Sequence, residues 1–549
     1  MRRSFLRFSA LIVCILLLIA FVGCSKDSSE GSQTPATSEQ ESPSNDDKAE
    51  ENKTEEEQTE AEVKPEEWEP ATFSIWSWPG SIETWGGKDF NDVACFQEAE
   101  KITNTKIEWV MESDSTTFDL IMASGDLPDA IYYAWNPVRQ GQYAKDGLII
   151  DIMPYIKSSA PEILNLIEND SMVKKQLVGE GGSVYLVPWI TANKELLAGE
   201  GFAIRKDWLD KLGLQIPKTP DELFDTLMAF REQDANGNGK ADEIVTGYPS
   251  QIHKSAFAFG TTDGFHFAED GKTIVYGPMT ENYKEWLKWM NKLYKNNILD
   301  PDYFSWDSDI YMKKCMEDRV GLYVDNPAVL NTIVKDGKAN GLNIEWVPME
   351  YMYYKGKSVN FSSAYKRYVQ PYGCVFSKDV ENPERLMKWF NFWFTEEGND
   401  LLNWGVEGVS YTVVNGKKQY TDAVLKDPEL EPSASLSRFA YPTFVGVQSI
   451  EAVKALSDAF TVLCRETWAK TDITYAPEPF IAFNEEEQNI NSQYSTDLAT
   501  IKDAWRDKFI TGEKDIEADW DEYIEELKKY HVEDLIRINQ AATDRYLAK

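Results

Sequence analysis

Hydrophobic and polar positions divide the chain into three stretches of different character. Leu11 to Val22 is one unbroken apolar run, shorter than the roughly 20 apolar residues a membrane-crossing helix needs. From Ser25 to Pro70 the pattern is almost wholly polar, with Trp68 its only aromatic. Such a stretch cannot bury enough apolar surface to offset the entropy of ordering it, which predicts a disordered tether. From Ala71 onward the periods alternate. Thr72 to Trp78 is β-rich and stopped by Pro79-Gly80; Ala94 to Thr103 is helical, and Thr105 to Met111 alternates like a strand. Thr117 to Ala123 predicts a helix ended by Ser124-Gly125, and Ala130 to Tyr133 a short buried strand. Further strands are expected at Val320 to Val324, Asn343 to Val347 and Tyr372 to Phe376. Helices are expected at Glu384 to Phe394, Ala499 to Phe509 and from Asp519 to the end. Helices alternating with short strands predict an α/β fold with parallel βαβ units. No internal repeat and no linker interrupts the folded part, so two lobes sharing several chain crossings fit better than separate beads.

Charge and the N-terminal residues then assign a compartment. Arg2, Arg3 and Arg7 precede the apolar run, which makes residues 1–23 a signal peptide. Gly23 before Cys24 resembles the bacterial lipobox, in which the cysteine receives diacylglycerol; it departs from the usual pattern in having Phe21 where Leu is common. Residues 24–70 then tether an extracellular protein to the membrane through Cys24. No later segment is long and apolar enough to span a bilayer. The signal carries +3 and the tether −12; without them the chain's −36 becomes −27 on the folded part. A surface that acidic argues against nucleic acid and anionic lipid as partners. The folded part holds four cysteines, Cys95, Cys315, Cys374 and Cys464, widely spaced and without a C-x-x-C. They read as small buried hydrophobes rather than a disulfide framework.

Catalytic motifs are missing. Only His253, His266 and His531 are present, and none forms H-E-x-x-H; there is no P-loop and no G-x-S-x-G. No catalytic residue is assigned. A surface glycoside hydrolase needs only two carboxylates and stays open as the alternative. The sharpest motif lies at 234–243, where Asp234, Asn236, Asn238, Lys240, Asp242 and Glu243 follow an EF-hand spacing with Gly239 at the sixth position. Calcium takes 6–8 oxygens, and the glycine lets the loop turn so that alternate residues converge. Lys240 gives only its carbonyl. The twelfth position is Val245 instead of Glu, a role Asp242 and Glu243 can fill. The alternative is a polar Asn-Gly turn.

The 18 tryptophans point to a sugar, whose apolar C–H faces pack on aromatic rings. Trp78, Trp135, Trp189, Trp306 and Trp404 sit beside Gly, Pro or strand ends and are expected to line a cleft. Glu407, between Gly405 and Gly408, is expected to accept sugar hydroxyls near a hinge. Trp208, Trp286, Trp289, Trp389 and Trp393 lie in helical patterns and are expected in the core.

Several blocks together resemble a known family. Ser124-Gly-Asp-Leu-Pro-Asp-Ala-Ile-Tyr-Tyr133, Gly201-Phe-Ala-Ile-Arg205-Lys-Asp-Trp208, Pro217-Lys-Thr-Pro220-Asp-Glu-Leu223, Phe394-Thr-Glu-Glu-Gly398 and Gly405-Val-Glu407-Gly408 look like the carbohydrate class of ABC-transporter extracellular solute-binding proteins. The 234–243 loop is similar to that of alginate oligosaccharide-binding proteins within it. The resemblance implies a two-lobed type II periplasmic-binding-protein-like fold with hinge crossings and a helical C-terminus. It implies lobes of 71–188 with 348–404 and of 189–347 with 405–549. It implies a carbohydrate ligand, ABC permease subunits as membrane partners, a structural Ca2+ and a monomeric, non-catalytic protein.

Overall fold

The computed structural model describes residues 68–78, 89–112, 116–244 and 249–549. The signal, Cys24 and most of the tether, together with Pro79 and Gly80, lie outside the described residues. Among the described residues no helix is long and apolar enough to cross a membrane.

Two sheets organise the folded part. The larger is built from β1 (Ala71–Ser77), β2 (Thr105–Met111), β3 (Ala130–Ala134) and β4 (Val187–Ile190). The smaller begins with β5 (Gly201–Arg205). Two hairpin strands, β6 (Phe265–Phe267) and β7 (Ile274–Tyr276), pair only with each other. Next come β8 (Leu322–Asp325), β9 (Trp346–Pro348), and the short hairpin of β10 (Tyr353–Tyr354) and β11 (Lys357–Ser358). The chain then returns to the larger sheet with β12 (Val369–Phe376), forms the hairpin of β13 (Tyr411–Val414) and β14 (Lys417–Tyr420), and ends its strands with β15 (Gly446–Val447).

The larger sheet has the order β15-β4-β12-β3-β1-β2 and the smaller β8-β5-β9. Strands β1, β2 and β3 are parallel, as the βαβ pattern predicts. The antiparallel members were not legible: β12 runs against both β3 and β4, and β5 runs against both β8 and β9. Helix ends carry the signals that place them. Thr219 and Glu222 form a capping box with Pro220 in the first turn of the helix Pro220–Glu232. Asn484 and Glu487 do the same for the helix Glu485–Thr511, which closes on Gly512 in the left-handed region.

Each sheet anchors its own core. One cluster runs from Phe73 to Ile190, resumes at Val369 to Leu402 and takes in Tyr441, Phe444 and Val445. The other holds Ala198 to Tyr365 and Cys464 to Ile538. The segment from Met349 to Tyr365 therefore packs with the second core, although the sequence reading gave 348–404 to the first lobe. Likewise β15 pairs with β4 of the larger sheet, although 405–549 was given to the second. Strand pairing decides these boundaries, and hydrophobic period does not report it. Cys95, Cys315, Cys374 and Cys464 are free and buried. Trp208, Trp286, Trp289, Trp389 and Trp393 all sit in the cores.

Candidate functional site

The topology brings one edge of each sheet to the same junction. In the larger sheet β1, β3 and β4 point the same way, because β12 is antiparallel to both β3 and β4. In the smaller sheet the carboxyl ends of β8 and β9 lie beside the amino end of β5, with Gly201 opposite Asp325 and Ala203 opposite Pro348. Residues 191–200 lead from the end of β4 to the start of β5, and residues 349–368 from the end of β9 to the start of β12. A third segment leaves β15 and reaches the second core through the helices Ile450–Leu456 and Ala459–Trp468. The three crossings are tied together. Thr191 N donates to Tyr368 O at 2.8 Å and Gln448 N to Ile190 O at 2.9 Å. Ligands of open α/β sheets bind beyond the carboxyl ends of strands, and here the crossings join two such edges.

On the larger sheet's edge stand three of the predicted tryptophans. Trp78 follows β1, half-buried, with its ring edge-on to Tyr133 at 6.2 Å. Trp189 lies near the end of β4, also half-buried, and its Nε1 has no hydrogen-bond partner. Trp135 follows β3 but is buried against Phe118, with Nε1 donating to Ile131 O.

Beyond the smaller sheet's edge lies a cavity of about 510 Å³, within the range of small-ligand sites. Its walls come from segments far apart in sequence: His253, Lys254 and Phe257 on a 3-10 turn, Thr262 and Asp263 after it, Phe361 and Ser362 on the second crossing, and Lys502, Asp503 and Arg506 on the helix Glu485–Thr511. Spacing of four residues puts Lys502 and Arg506 on one helix face. Both reach Asp263 Oδ2 at 2.8 Å, and His253 Nδ1 stands 3.6 Å from the same oxygen. Burial alone would raise Asp263; the His253 imidazole beside it and the charges of Lys502 and Arg506 hold its carboxyl well below the usual range. Burial pushes His253 below the ordinary imidazole value, and Arg506 and Lys502 add to that against the pull of Asp263. The cavity therefore presents an ionised Asp263 and a neutral His253, whose Nε2 is buried without a partner. Phe257 and Phe361, stacked at 5.3 Å, form the apolar part. None of these residues was singled out from sequence; the one available signal was a pair of cations at 502 and 506 interleaved with Trp505 and Phe509 on a helix otherwise packing into core.

The remaining predicted ligand residues are placed apart from this cavity. Trp306 is 7 % exposed, packed by Tyr311 with Lys314 over its ring. Trp404 is 4 % exposed, at the centre of a small separate core with Tyr411 and Tyr420. Glu407 is exposed in the bend before β13. In this conformation Trp135, Trp306 and Trp404 offer no free ring face, because apolar neighbours already cover them, so the expected five-tryptophan platform is not assembled.

The 234–243 loop turns back on itself between the helix Pro220–Glu232 and the bridge at Ile244. Asp234, Gly237 and Gly239 take positive φ values of 50°, 76° and 80°. Asp234 Oδ2 accepts from Gly239 N at 2.9 Å, and Asp242 Oδ1 accepts from Asn236 Nδ2 and Asn238 Nδ2. The Lys240 side chain is exposed. The loop exit is held to the smaller sheet by the bridge between Ile244 and Val320. Among the described residues no group of three or more His, Cys, Asp or Glu is gathered to hold a metal. The loop's donors are mixed carboxylates, amides and a carbonyl, and two are orphaned: Asp234 Oδ1 and Glu243 Oε2 are buried with no hydrogen-bond partner. Burial raises the Glu243 carboxyl, and the charges of Asp242 and Asp234 add to this against backbone hydrogen bonds. Two unpaired buried carboxylate oxygens in one loop fit a hard cation.

Residues 87–400 match the family described as bacterial extracellular solute-binding protein. The chain is 27 % identical over 497 residues to the fructooligosaccharide ABC transporter substrate-binding protein FusA of Streptococcus pneumoniae serotype 4, covering 84 % of this chain and 88 % of that one. It is 25 % identical over 443 residues to the lipoprotein LipO of Bacillus subtilis, covering 77 % and 83 %. The fold is shared with FusA solved as an EF-hand mutant in complex with fructo-nystose, at a TM-score of 0.64, 23 % identity and coverage of 87 % and 99 %. It is also shared with the alginate-binding protein AlgQ2 solved without calcium ion, at a TM-score of 0.62, 23 % identity and the same coverage.

Proposed function

Because this chain belongs to the bacterial extracellular solute-binding proteins, we propose that it captures a carbohydrate outside the cell for an ABC importer. The observation that carries this reading is the junction itself. Three crossings join the carboxyl-end edges of two separately cored sheets, with a polar cavity beside one edge and partly exposed tryptophans on the other. We place the first lobe at residues 71–190 with 369–447 and the second at 201–365 with the chain after 449. The sugar lies between them, on Trp78 and Trp189 from one side and in the cavity of His253, Asp263, Phe361 and Arg506 from the other. Trp189 Nε1, left without a partner, is a donor for a hydroxyl. Trp135 backs this face from beneath. Trp306, Trp404 and Glu407 support the second lobe and the late hinge segment, and act on the ligand only through the crossings.

Binding without turnover fits the carboxylates. A glycosidase acid needs a raised pKa at neutral pH, whereas Asp263, despite its burial, is held low by the His253 imidazole and by Lys502 and Arg506. Cys24 carries the lipid, the acidic tether extends the lobes away from the membrane, and permease subunits receive the loaded protein. The protein acts as a monomer. Asp234, Asn236, Asn238, the Lys240 carbonyl, Asp242 and Glu243 hold Ca2+, which when bound supplies charge to the orphaned oxygens and clips the helix Pro220–Glu232 to β8. Relatives named for fructooligosaccharide, for lipoprotein and for an EF-hand support these assignments. Thermal-shift screening against a glycan panel tests the ligand class: stabilisation by an oligosaccharide is expected, and a flat response across neutral and acidic sugars would remove the carbohydrate assignment.

A further inference from the structure

We propose that the cavity at the crossings selects an uncharged sugar unit and rejects uronates and other anionic sugars, because every cation lining it already holds a carboxylate. This rests on the carbohydrate reading above and narrows its substrate class. Lys254 pairs with Glu200 at 2.6 Å. Lys502 pairs with Asp263 at 2.8 Å and Asp503 at 2.9 Å. Arg506 pairs with Asp263 at 2.8 Å, with Asp507 at 3.0 Å and with Asp503. Three cations thus meet four carboxylates, Glu200, Asp263, Asp503 and Asp507.

An arriving carboxylate has two courses, and both are unfavourable. Taking a cation from Asp263 removes one of the two that hold its buried charge, which is destabilising. Binding without a cation sets the ligand's charge against Asp503, which lines the cavity and is 48 % exposed, and juxtaposed like charges reject a partner. The −27 on the folded part deepens this at long range.

Hydroxyl groups meet the opposite situation. Asp503 accepts from them, the Thr262 and Ser362 hydroxyls accept or donate, and Lys254 holds further protons to give. His253, buried and neutral beside ionised Asp263, adds a ring nitrogen with no partner. The edges of Phe257 and Phe361, whose faces stack on each other, add apolar carbon to the wall. Ion pairs that cancel one another, set among hydroxyls and aromatic carbon, make a site for a polar but uncharged ligand.

The test is isothermal titration of the full chain at physiological salt with matched trimers. The neutral probes are kestose, maltotriose, xylotriose and galactotriose; the acidic probes are trigalacturonate and triguluronate. At least one neutral trimer is expected to bind, with every acidic trimer at least about a hundredfold weaker. Asp503→Asn, at a half-exposed position that leaves the core untouched, is expected to strengthen acidic binding by about tenfold, and Thr262→Val, at a part-buried wall position, to weaken neutral binding by about tenfold. An acidic trimer that matches or exceeds the best neutral one overturns the selection and leaves the carbohydrate reading standing. Neutral binding unmoved by both Thr262→Val and Asp503→Asn places the sugar elsewhere and overturns the assignment to this cavity. No binding by any trimer overturns the carbohydrate reading, and this inference with it.

Discussion

At the scale of single residues, composition counts tryptophans but does not say which way they face. Trp404 was expected on a sugar platform because glycines flank its neighbour Glu407; it instead fills a core of its own with Tyr411, Tyr420 and Leu436. Trp404→Ala is therefore expected to destabilise the protein by about 3–5 kcal/mol, the usual cost of emptying a large aromatic site, whereas Trp78→Ala changes stability little. Thermal or denaturant melts of the two variants decide it, and a Trp404→Ala protein that melts like the wild type would return that ring to a surface role. The 234–243 loop stands out in the sequence because its chemistry is local: five oxygen side chains and a glycine at fixed spacing need no tertiary information. Asp234 Oδ1 and Glu243 Oε2, buried and unpartnered, carry the expectation further. A cation that binds only the native state stabilises by about 2.7 kcal/mol at a hundredfold excess over Kd. Chelation is expected to lower the melting temperature of the wild type and not that of Asp234→Ala. Identical curves with calcium and with chelator would reduce the loop to a turn.

At the scale of elements, the strands β1, β2, β3 and β12 and the helices Ala94–Thr103 and Thr117–Ser124 were readable because each carries its own period and stop signal. The cavity was not, since its walls at 253–263, 361–362 and 502–506 become neighbours only when the helix Glu485–Thr511 and the 3-10 turn both pack on the helix Glu281–Lys295. That packing buries His253 among charges: Asp263, Lys502 and Arg506 face it, Lys254 with Glu200 stands on its own turn, and Asp503 and the Tyr283 hydroxyl complete the surroundings. The direction of its titration gives a sign. A folded-state pKa below the unfolded value of about 6.5 means that the unfolded chain binds the proton first. The stability held in neutral His253 is complete above about pH 6.5 and is lost as pH falls through the lower folded value. Asp263, held low, retains its contribution across the same window and loses it only in stronger acid. His253→Gln is expected to flatten the fall in stability between about pH 6.5 and 5. Wild-type and variant denaturation midpoints that decline in parallel over that window would show that His253 does not titrate there.

At the scale of the whole molecule, two lobes with shared crossings could be anticipated from the absence of an internal linker, but where the chain crosses could not. Met349 to Tyr365 and the return of β15 to β4 follow from strand pairing across hundreds of residues, which no local pattern encodes. Once known, the crossings explain how one ligand can influence the entire protein. Thr191, Tyr368 and Gln448 meet at hydrogen bonds that tie the three segments together, while the two cores on either side remain separate clusters. A change of angle between the cores then bends backbone at this one place and leaves both cores intact, as hinge motions do. A sugar that touches Trp78 and Trp189 on one edge and the His253–Arg506 cavity on the other binds the closed arrangement better than any open one, and that difference alone sets how far it shifts the population. Saturating neutral oligosaccharide is therefore expected to reduce the radius of gyration in small-angle scattering. The Trp189→Ala variant is expected to bind at least about tenfold more weakly, roughly 1.4 kcal/mol, with its unliganded melting temperature nearly unchanged, because Trp189 is only half-buried. Full-affinity binding with no compaction would mean that the ligand rests on one lobe alone, and the tryptophans on the far edge would then have no part in its capture.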